Sequence, residues 1–167
     1  MTHLMPFYEQ IQSHYDVSNE FFALFLDPSM TYSCAYFARA NMTLAEAQVA
    51  KNDLALSKCD LRPGMRLLDV GCGWGATARR AAEKYGVQAT GLTLSRNQYQ
   101  YANEQQLLSP PSRGEVDFRL MGWEEFDEPI DRVCHSAASR SPAVRAPSSG
   151  RQMHFHFLLD SRLAARV

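Results

Sequence analysis

The sequence lacks a strong excess of charge of either sign and any long apolar run. Its 167 residues include 17 Lys and Arg and 18 Asp and Glu, for a net charge of -1. A nearly neutral chain has no overall field that would collect nucleic acid or anionic membrane. The longest purely apolar run covers only residues 21–26, much too short to span a bilayer. We therefore expect a ligand held at a local site, no nucleic-acid partner and no transmembrane segment.

Paired cysteines are also missing. Cys34, Cys59, Cys72 and Cys134 form no C-x-x-C motif, which argues against a disulfide framework or a zinc ribbon. The first residues do not have the charged-then-apolar order of a secretory signal. These features predict a protein of the reducing cytoplasm.

What the sequence does contain is an alternation of short apolar runs and helical segments. This order predicts an α/β fold in which a parallel sheet is flanked by helices. The predicted strands cover residues 65–70, 87–94 and 116–121, with a fourth starting at 130–133, and the helices between them cover 76–85 and 96–108.

Two helices are predicted ahead of this alternation. The first covers residues 17–26, with Ser18 as its N-cap and a proline at its end. The second covers residues 43–58 and opens with the capping box "TLAE". Its apolar positions are Leu44, Ala47, Leu54 and Ala55. They leave a polar face that carries Glu46, Lys51 and Lys58.

A glycine-rich turn joins the first predicted strand to the helix after it. The stretch "LLDVGCGWG" places Asp69 before Gly71, Gly73 and Gly75. Glycine permits positive φ and close backbone approach, so a ligand can lie on the turn at the helix N-terminus. A glycine turn without any ligand is the simplest alternative.

The glycine spacing bears on which ligand this turn would bind. A dinucleotide fingerprint is G-x-G-x-x-G, whereas here the glycines occupy every second position after an acidic residue. This pattern favours S-adenosylmethionine over NAD, because the carboxylate and ammonium of its amino acid group match backbone amides and a carboxylate. After the second strand, "GLTLSRNQ" offers Thr93 and Gln98 where a generic nucleoside site would have an acidic residue.

Four separated motifs in order carry a family resemblance. They are "QSHYDVSNEFFALFLDPSMTYSCAYF", "LLDVGCGWGATARRA", "GLTLSRNQ" and "GWEEFDEPIDRV". With them the chain closely resembles the mycobacterial mycolic acid methyltransferases of the cyclopropane fatty acid synthase family, over about residues 11–133. That resemblance implies a Rossmann-like class I methyltransferase fold, here with N-terminal helices, an incomplete parallel sheet of about four strands and an irregular C-terminal tail.

The resemblance also implies a cofactor pocket. Gly71 and Gly73 would meet the methionine end of S-adenosylmethionine, Thr93 and Gln98 the ribose region, and Trp123 and Glu124 the adenine region. The full set implied is Tyr32, Ser33, Leu67, Leu68, Asp69, Val70, Gly71, Cys72, Gly73, Trp74, Gly75, Thr93, Leu94, Ser95, Arg96, Asn97, Gln98, Trp123 and Glu124.

The implied chemistry is methyl transfer to a cis double bond of a long acyl chain, with acyl carrier protein as a reasonable carrier. Attack by the alkene on the sulfonium methyl leaves a carbocation, which aromatic faces such as those of His14, Tyr15 and Tyr32 would stabilise. A base then removes a proton to close a cyclopropane ring. In the family this is a bicarbonate ion, held partly by the backbone at Cys34. Composition alone would instead make these tyrosines core or lid residues and Cys34 a buried apolar one.

The segment after Val133 breaks the family pattern. It contains five Arg and one Asp, so it carries +4 against -5 for the rest of the chain, and it is dense in Ser, Ala and Pro. We interpret residues 133–167 as an out-of-frame or disordered tail that follows a frameshift near Arg132. A basic nucleic-acid arm and a metal clip through His154 and His156 are the weaker alternatives. On this interpretation the chain binds cofactor weakly or not at all and has no turnover, as a fragment or pseudogene product would.

Overall fold

The computed structural model describes residues 18–135 and the main chain of residues 155–157. Its helices in this part are α1 (Asn19–Ala23), α2 (Leu44–Ser57), α3 (Ala76–Tyr85) and α4 (Arg96–Leu108). Its strands are β1 (Arg66–Val70), β2 (Gln88–Thr93), β3 (Glu115–Leu120), β4 (Arg132–His135) and β5 (Phe155–Phe157). A 3₁₀ turn, Trp123–Glu125, follows β3.

The strands form one parallel sheet in the order β3-β2-β1-β4-β5. Strand β1 lies at its centre, with Asp69 paired to Gly91 of β2 and to Cys134 of β4. Because parallel strands end at the same edge, the loops after β1, β2 and β3 meet there. In open parallel sheets this edge is where ligands bind.

The end of the sheet differs from the sequence-based prediction in two respects. Strand β4 continues to His135, two residues past Val133, and its residues pair in register with β1. A fifth strand also lies beyond it, since the short β5 pairs in parallel with β4 from Val133 to His135. Part of the segment predicted to be irregular therefore belongs to the sheet.

The helices follow local signals closely. In α2, Thr43 Oγ1 accepts from the amide of Glu46 while the Glu46 carboxylate accepts from the amide of Thr43 at 2.8 Å, which confirms the predicted capping box. In α1, Ser18 Oγ accepts from the amide of Phe21. This helix ends at Ala23 rather than 26, and the amides of Leu24 and Phe25 instead donate to carbonyls three residues earlier, as in a tighter turn.

The core lies between the sheet and helices α2, α3 and α4. Leu56, Leu67, Val87, Ala102 and Phe118 are at most 3% exposed. No described helix has the length and apolar content needed to cross a membrane.

Candidate functional site

The turn after β1 adopts the left-handed backbone that its glycines were expected to provide. Gly71, Gly73 and Gly75 have φ of +72°, +56° and +88°. The turn is tied to its neighbour strand by a 2.9 Å hydrogen bond from the amide of Cys72 to the carbonyl of Leu92. Side-chain-bearing residues rarely adopt such φ values, so the alternating glycines are a geometric requirement of this turn.

The glycines differ in what lies above them. A Cβ built on Gly73 would meet nothing within 4 Å, whereas one on Gly75 would lie 2.5 Å from Phe118 Cζ and 2.8 Å from Arg79 Nη1. Gly75 thus lets the start of α3 pack against β3. Among the described residues, the space beside Gly73 is therefore open.

A buried carboxylate stands at the base of the turn. Asp69 is fully buried, and within the described residues neither of its carboxylate oxygens has a hydrogen-bond partner. Burial raises its pKa to about 7, opposed by the charge of Lys51. Buried polar groups nearly always have partners. A buried carboxylate without one, beside an open turn, fits a ligand that carries a cationic or hydrogen-bond donating group.

The residues after β2 form a compact polar arrangement next to the turn. The Thr93 hydroxyl donates to Gln98 Oε1 at 2.7 Å and accepts from the amide of Ser95. Ser95 in turn caps α4 by accepting from the amide of Gln98. All three residues are at most 5% exposed. The Nε2 group of Gln98 takes no part in these bonds.

The segment after β3 reaches the same edge. Thr93 pairs with Leu120, the last residue of β3, and Trp123 follows within a 3₁₀ turn. Trp123 is half-buried and Glu124 is exposed. Both residues therefore directly follow the strand that pairs with β2.

The N-terminal segment packs onto the glycine turn through aromatic rings. Trp74 lies in a T-shaped contact with Phe22 at 4.9 Å between centroids, and Phe22 lies 5.3 Å from the ring of Tyr32. Tyr32 is nevertheless 45% exposed and Cys34 is exposed as well. The structure therefore does not bury Cys34, in contrast to what composition alone would favour.

A turn built on Asp27 fixes the course of this segment. Its carboxylate accepts from the amides of Ser29 and Thr31, both at 3.0 Å, and from the Ser29 hydroxyl. Met30 in this turn has a φ of +57°. The main chain then runs on to Ser33 beside α2.

Helix α2 contributes residues that sequence reasoning did not assign to the site. Lys51 was predicted on the polar face of this helix, and it is only 6% exposed, while Leu44, one of the predicted apolar positions, is 40% exposed. Helix α2 therefore buries part of its polar face. The signal in the sequence was the spacing of Gln48, Lys51, Asn52 and Ala55, which lie on one side of a helix.

The other predicted site residues are distributed as follows. Leu67 and Leu68 are buried within β1, Cys72 is buried in the core, and Arg96 is exposed at the start of α4. Leu94 and Asn97 are half-buried, as is Val70. Tyr15, His14 and His154 lie outside the described residues, and so does the side chain of His156.

His135 was not assigned to the site from the sequence. Its Nδ1 lies 2.7 Å from the carbonyl oxygen of Val70, and its ring would be 3.8 Å from a Cβ on Gly71. The extra residues of β4 bring it there. Across the described residues, no group of His, Cys, Asp and Glu could hold a metal ion.

Comparison with known proteins finds similar sequences over most of the chain. The profile of the mycolic acid cyclopropane synthetase family matches residues 3–139. The S-adenosylmethionine-dependent methyltransferase UmaA of Mycobacterium tuberculosis is 58% identical over 133 residues, which cover 80% of this chain and 46% of UmaA. Cyclopropane mycolic acid synthase 2 of Mycobacterium bovis is 54% identical over 159 residues, covering 93% of this chain and 51% of that protein.

A solved structure is similar in the same way. Mycolic acid cyclopropane synthase CmaA1, complexed with SAH and CTAB, superposes with a TM-score of 0.73 at 57% identity, covering 77% of this chain and 45% of that one. The chain thus spans about half the length of the curated relatives it matches. With its class I methyltransferase sheet and a family match that extends over most of its length, the chain belongs to the mycolic acid cyclopropane synthetase family.

Proposed function

We propose that the chain binds S-adenosylmethionine on the turn between Asp69 and Gly75 and serves methyl transfer to the double bond of a long mycolic-type acyl chain. The observation that carries the proposal is the open left-handed turn at Gly73 beside the buried, unpartnered carboxylate of Asp69. A pyrophosphate would be repelled by such a carboxylate, whereas the ammonium group of S-adenosylmethionine would be attracted to it.

Each end of this cofactor has matching residues. Backbone amides of the glycine turn suit its carboxylate at the N-terminus of α3. The buried Thr93 and Gln98 pair offers side-chain polar atoms for the ribose hydroxyls, and the indole of Trp123 offers an apolar surface for adenine. Relatives named for this cofactor and solved with SAH support the assignment.

When bound, S-adenosylmethionine supplies an electrophilic methyl group that needs no further activation. The protein must therefore position an alkene and exclude water. Tyr32 presents a partly exposed ring that Phe22 and Phe25 hold at 5.3 and 6.1 Å. An aromatic face in this position would stabilise developing positive charge without reacting with it.

Two further features belong to the same proposal. The exposed Cys34 follows Ser33 directly, where its backbone would form part of a bicarbonate site. Acyl carrier protein would deliver the acyl chain. Tyr15, the other residue assigned to the reaction, remains part of the proposal from the sequence.

Calorimetric titration of the 167-residue protein with S-adenosylhomocysteine, and with NAD in parallel, tests cofactor binding. We expect heat of binding with S-adenosylhomocysteine alone, and weak binding if residues 133–167 are an out-of-frame tail. Binding of NAD alone would overturn the proposal in favour of a dinucleotide enzyme, and binding of neither would show that the turn holds no such ligand.

A methyl-transfer assay separates the enzyme from a binding fragment. The protein is incubated with methyl-labelled S-adenosylmethionine and a long-chain cis-unsaturated acyl substrate, and label in the lipid is measured by mass spectrometry. Labelled cyclopropane or methyl-branched product establishes the full reaction. Cofactor binding without labelled product assigns the chain the narrower function of a cofactor-binding fragment.

A further inference from the structure

A lysine is buried beside the proposed cofactor pocket. Lys51 lies in the middle of α2 and is 6% exposed. Its Nζ donates a 2.6 Å hydrogen bond to the hydroxyl of Ser33. Lysine is rarely buried because its charge loses hydration, so this position demands compensation from nearby groups.

The same face of α2 also binds the main chain of residues 31–33. One helical turn before Lys51, the Gln48 side-chain amide donates to the carbonyls of Ser33 at 2.8 Å and Thr31 at 3.2 Å. On the other side, the carboxylate of Asp27 accepts from the amide of Thr31. Residues 31–33 are thus held between one helix face and one carboxylate.

Lys51 also interacts electrostatically with two carboxylates. Burial lowers its pKa to about 8, and the opposing influences come from Asp69, Asp27, Cys134 and Cys34. Among the described residues Lys51 is the cation that lowers the pKa of Asp69 against the effect of burial. One side chain therefore contacts the segment before α2 and acts electrostatically on the base of the glycine turn.

We propose that Lys51 is a positioning residue of the cofactor pocket, which holds Ser33 in place through its ammonium group and favours the ionised form of the Asp69 carboxylate. This inference rests on the proposed S-adenosylmethionine site. An ionised Asp69 attracts the ammonium group of the cofactor, and a fixed Ser33 holds Tyr32 at the pocket. Removing the Lys51 charge would weaken both features together.

The test compares Lys51→Met with Lys58→Met, which removes an exposed lysine from the end of the same helix. Hydrogen exchange of the amides of residues 27–34 is measured without ligand, and S-adenosylhomocysteine binding is measured by calorimetry from pH 6 to 8.5. We expect Lys51→Met to exchange these amides faster and to bind about tenfold more weakly, a loss of about 1.4 kcal/mol. The Lys58→Met variant should behave as wild type.

The pH profile distinguishes positioning from simple destabilisation. In the wild type, binding should strengthen as pH rises through the pKa of Asp69, because the carboxylate ionises, and should level off near pH 8, where Lys51 loses its own charge. Without the Lys51 charge that pKa rises, so the midpoint of the profile moves to higher pH. Lys51→Arg retains the charge and should restore the wild-type midpoint, even where its longer side chain lowers the affinity.

The inference would be overturned if the amides of residues 27–34 exchanged at the wild-type rate in Lys51→Met. It would also be overturned if the pH midpoint of S-adenosylhomocysteine binding did not change in this variant. Should Lys51→Met fail to fold by circular dichroism, Ser33→Ala removes the acceptor without altering α2 and must show the faster exchange. If the wild type binds no S-adenosylhomocysteine, the proposed function fails, whereas the exchange comparison still decides whether Lys51 holds the segment.

Discussion

The indole Nε1 of Trp74 donates a 2.8 Å hydrogen bond to Oδ1 of Asn19. Trp74 belongs to the glycine turn and is 1% exposed, while Asn19 is the first residue of α1. Together with the contact of Phe22 with Trp74, this bond fixes the N-terminal segment to the turn. We expect the position of Tyr32, whose ring packs against Phe22, to depend on it.

Replacement of Asn19 by Ala should therefore destabilise the protein. It leaves a buried indole N–H without an acceptor, at a cost of about 1–3 kcal/mol. Urea denaturation would measure the loss in unfolding free energy. The control is Asn41→Ala, which removes the same group from an exposed loop position and should change stability by less than about 0.5 kcal/mol. Equal effects of the two substitutions would contradict the role assigned to the hydrogen bond.

Alanine at Gly73 and at Gly75 should have different consequences, although both glycines have positive φ. At Gly75 the new methyl group would collide with Phe118 and Arg79, so we expect a loss of about 2–4 kcal/mol from strain and overpacking. At Gly73 only the backbone strain of about 1–2 kcal/mol applies.

Binding should follow the opposite order. The methyl group at Gly73 would enter the open space above the turn, so we expect Gly73→Ala to weaken S-adenosylhomocysteine binding more than tenfold when both variants are folded. Denaturation and calorimetry on the same samples give the two rankings. A variant at Gly73 that binds as tightly as wild type would place the ligand elsewhere.

The buried Asp69 predicts an unusual dependence of stability on pH. Its pKa rises from 3.8 in the unfolded chain to about 7 in the fold, chiefly through burial. The folded state therefore keeps this proton to higher pH, and the stability contributed by Asp69 is lost as pH rises through that window. The linked free energy is on the order of 4 kcal/mol.

Asp69→Asn removes this titration while preserving size. The difference in unfolding free energy between wild type and Asp69→Asn should decrease from pH 4 to pH 7 and then level off, as measured by urea denaturation without ligand. Other carboxylates titrate in both proteins and cancel in the difference. Parallel profiles over this range would show that Asp69 is not buried as described.

An ion-pair network fixes α2 against α3. Arg80 donates two hydrogen bonds to Asp53 at 2.9 and 3.0 Å, and Lys84 Nζ lies 2.9 Å from the same carboxylate. These side chains are partly exposed, so a double-mutant cycle of Asp53→Ala and Arg80→Ala should give a coupling of about 1 kcal/mol that falls in high salt. A coupling that does not respond to salt would argue for packing instead.

The origin of residues 133–167 stays a prediction. A slip of one or two bases near the Arg132 codon, relative to intact relatives, would explain why the composition changes there. The nucleotide sequence of the locus checks it. A family-like frame that continues without a slip would remove the idea, and the pairing of β4 with β5 would then be a regular part of the sheet.

Local patterns were sufficient to predict most of the fold. Helices α3 and α4 have the predicted bounds, since each begins at a turn or cap residue and ends at Gly86 or before a proline-containing loop. The glycine turn could also be predicted from the sequence, because residues with side chains rarely adopt its positive φ values. The Thr43 capping box depends on residues three apart, so sequence alone also determined where α2 begins.

Long-range contacts decided the rest. Lys51 is buried because Ser33, 18 residues earlier in the chain, packs against it. Asp69 is buried without a hydrogen-bond partner among the described residues because it lies in the central strand of the sheet. The pattern of a single helix predicts that a lysine lies at the surface, because this pattern contains no information about charges on other elements. The sequence by itself thus determined the helices, the strands and the glycine turn. Only the tertiary structure decided which polar side chains are buried near the proposed pocket, because burial and charge compensation arise between distant segments.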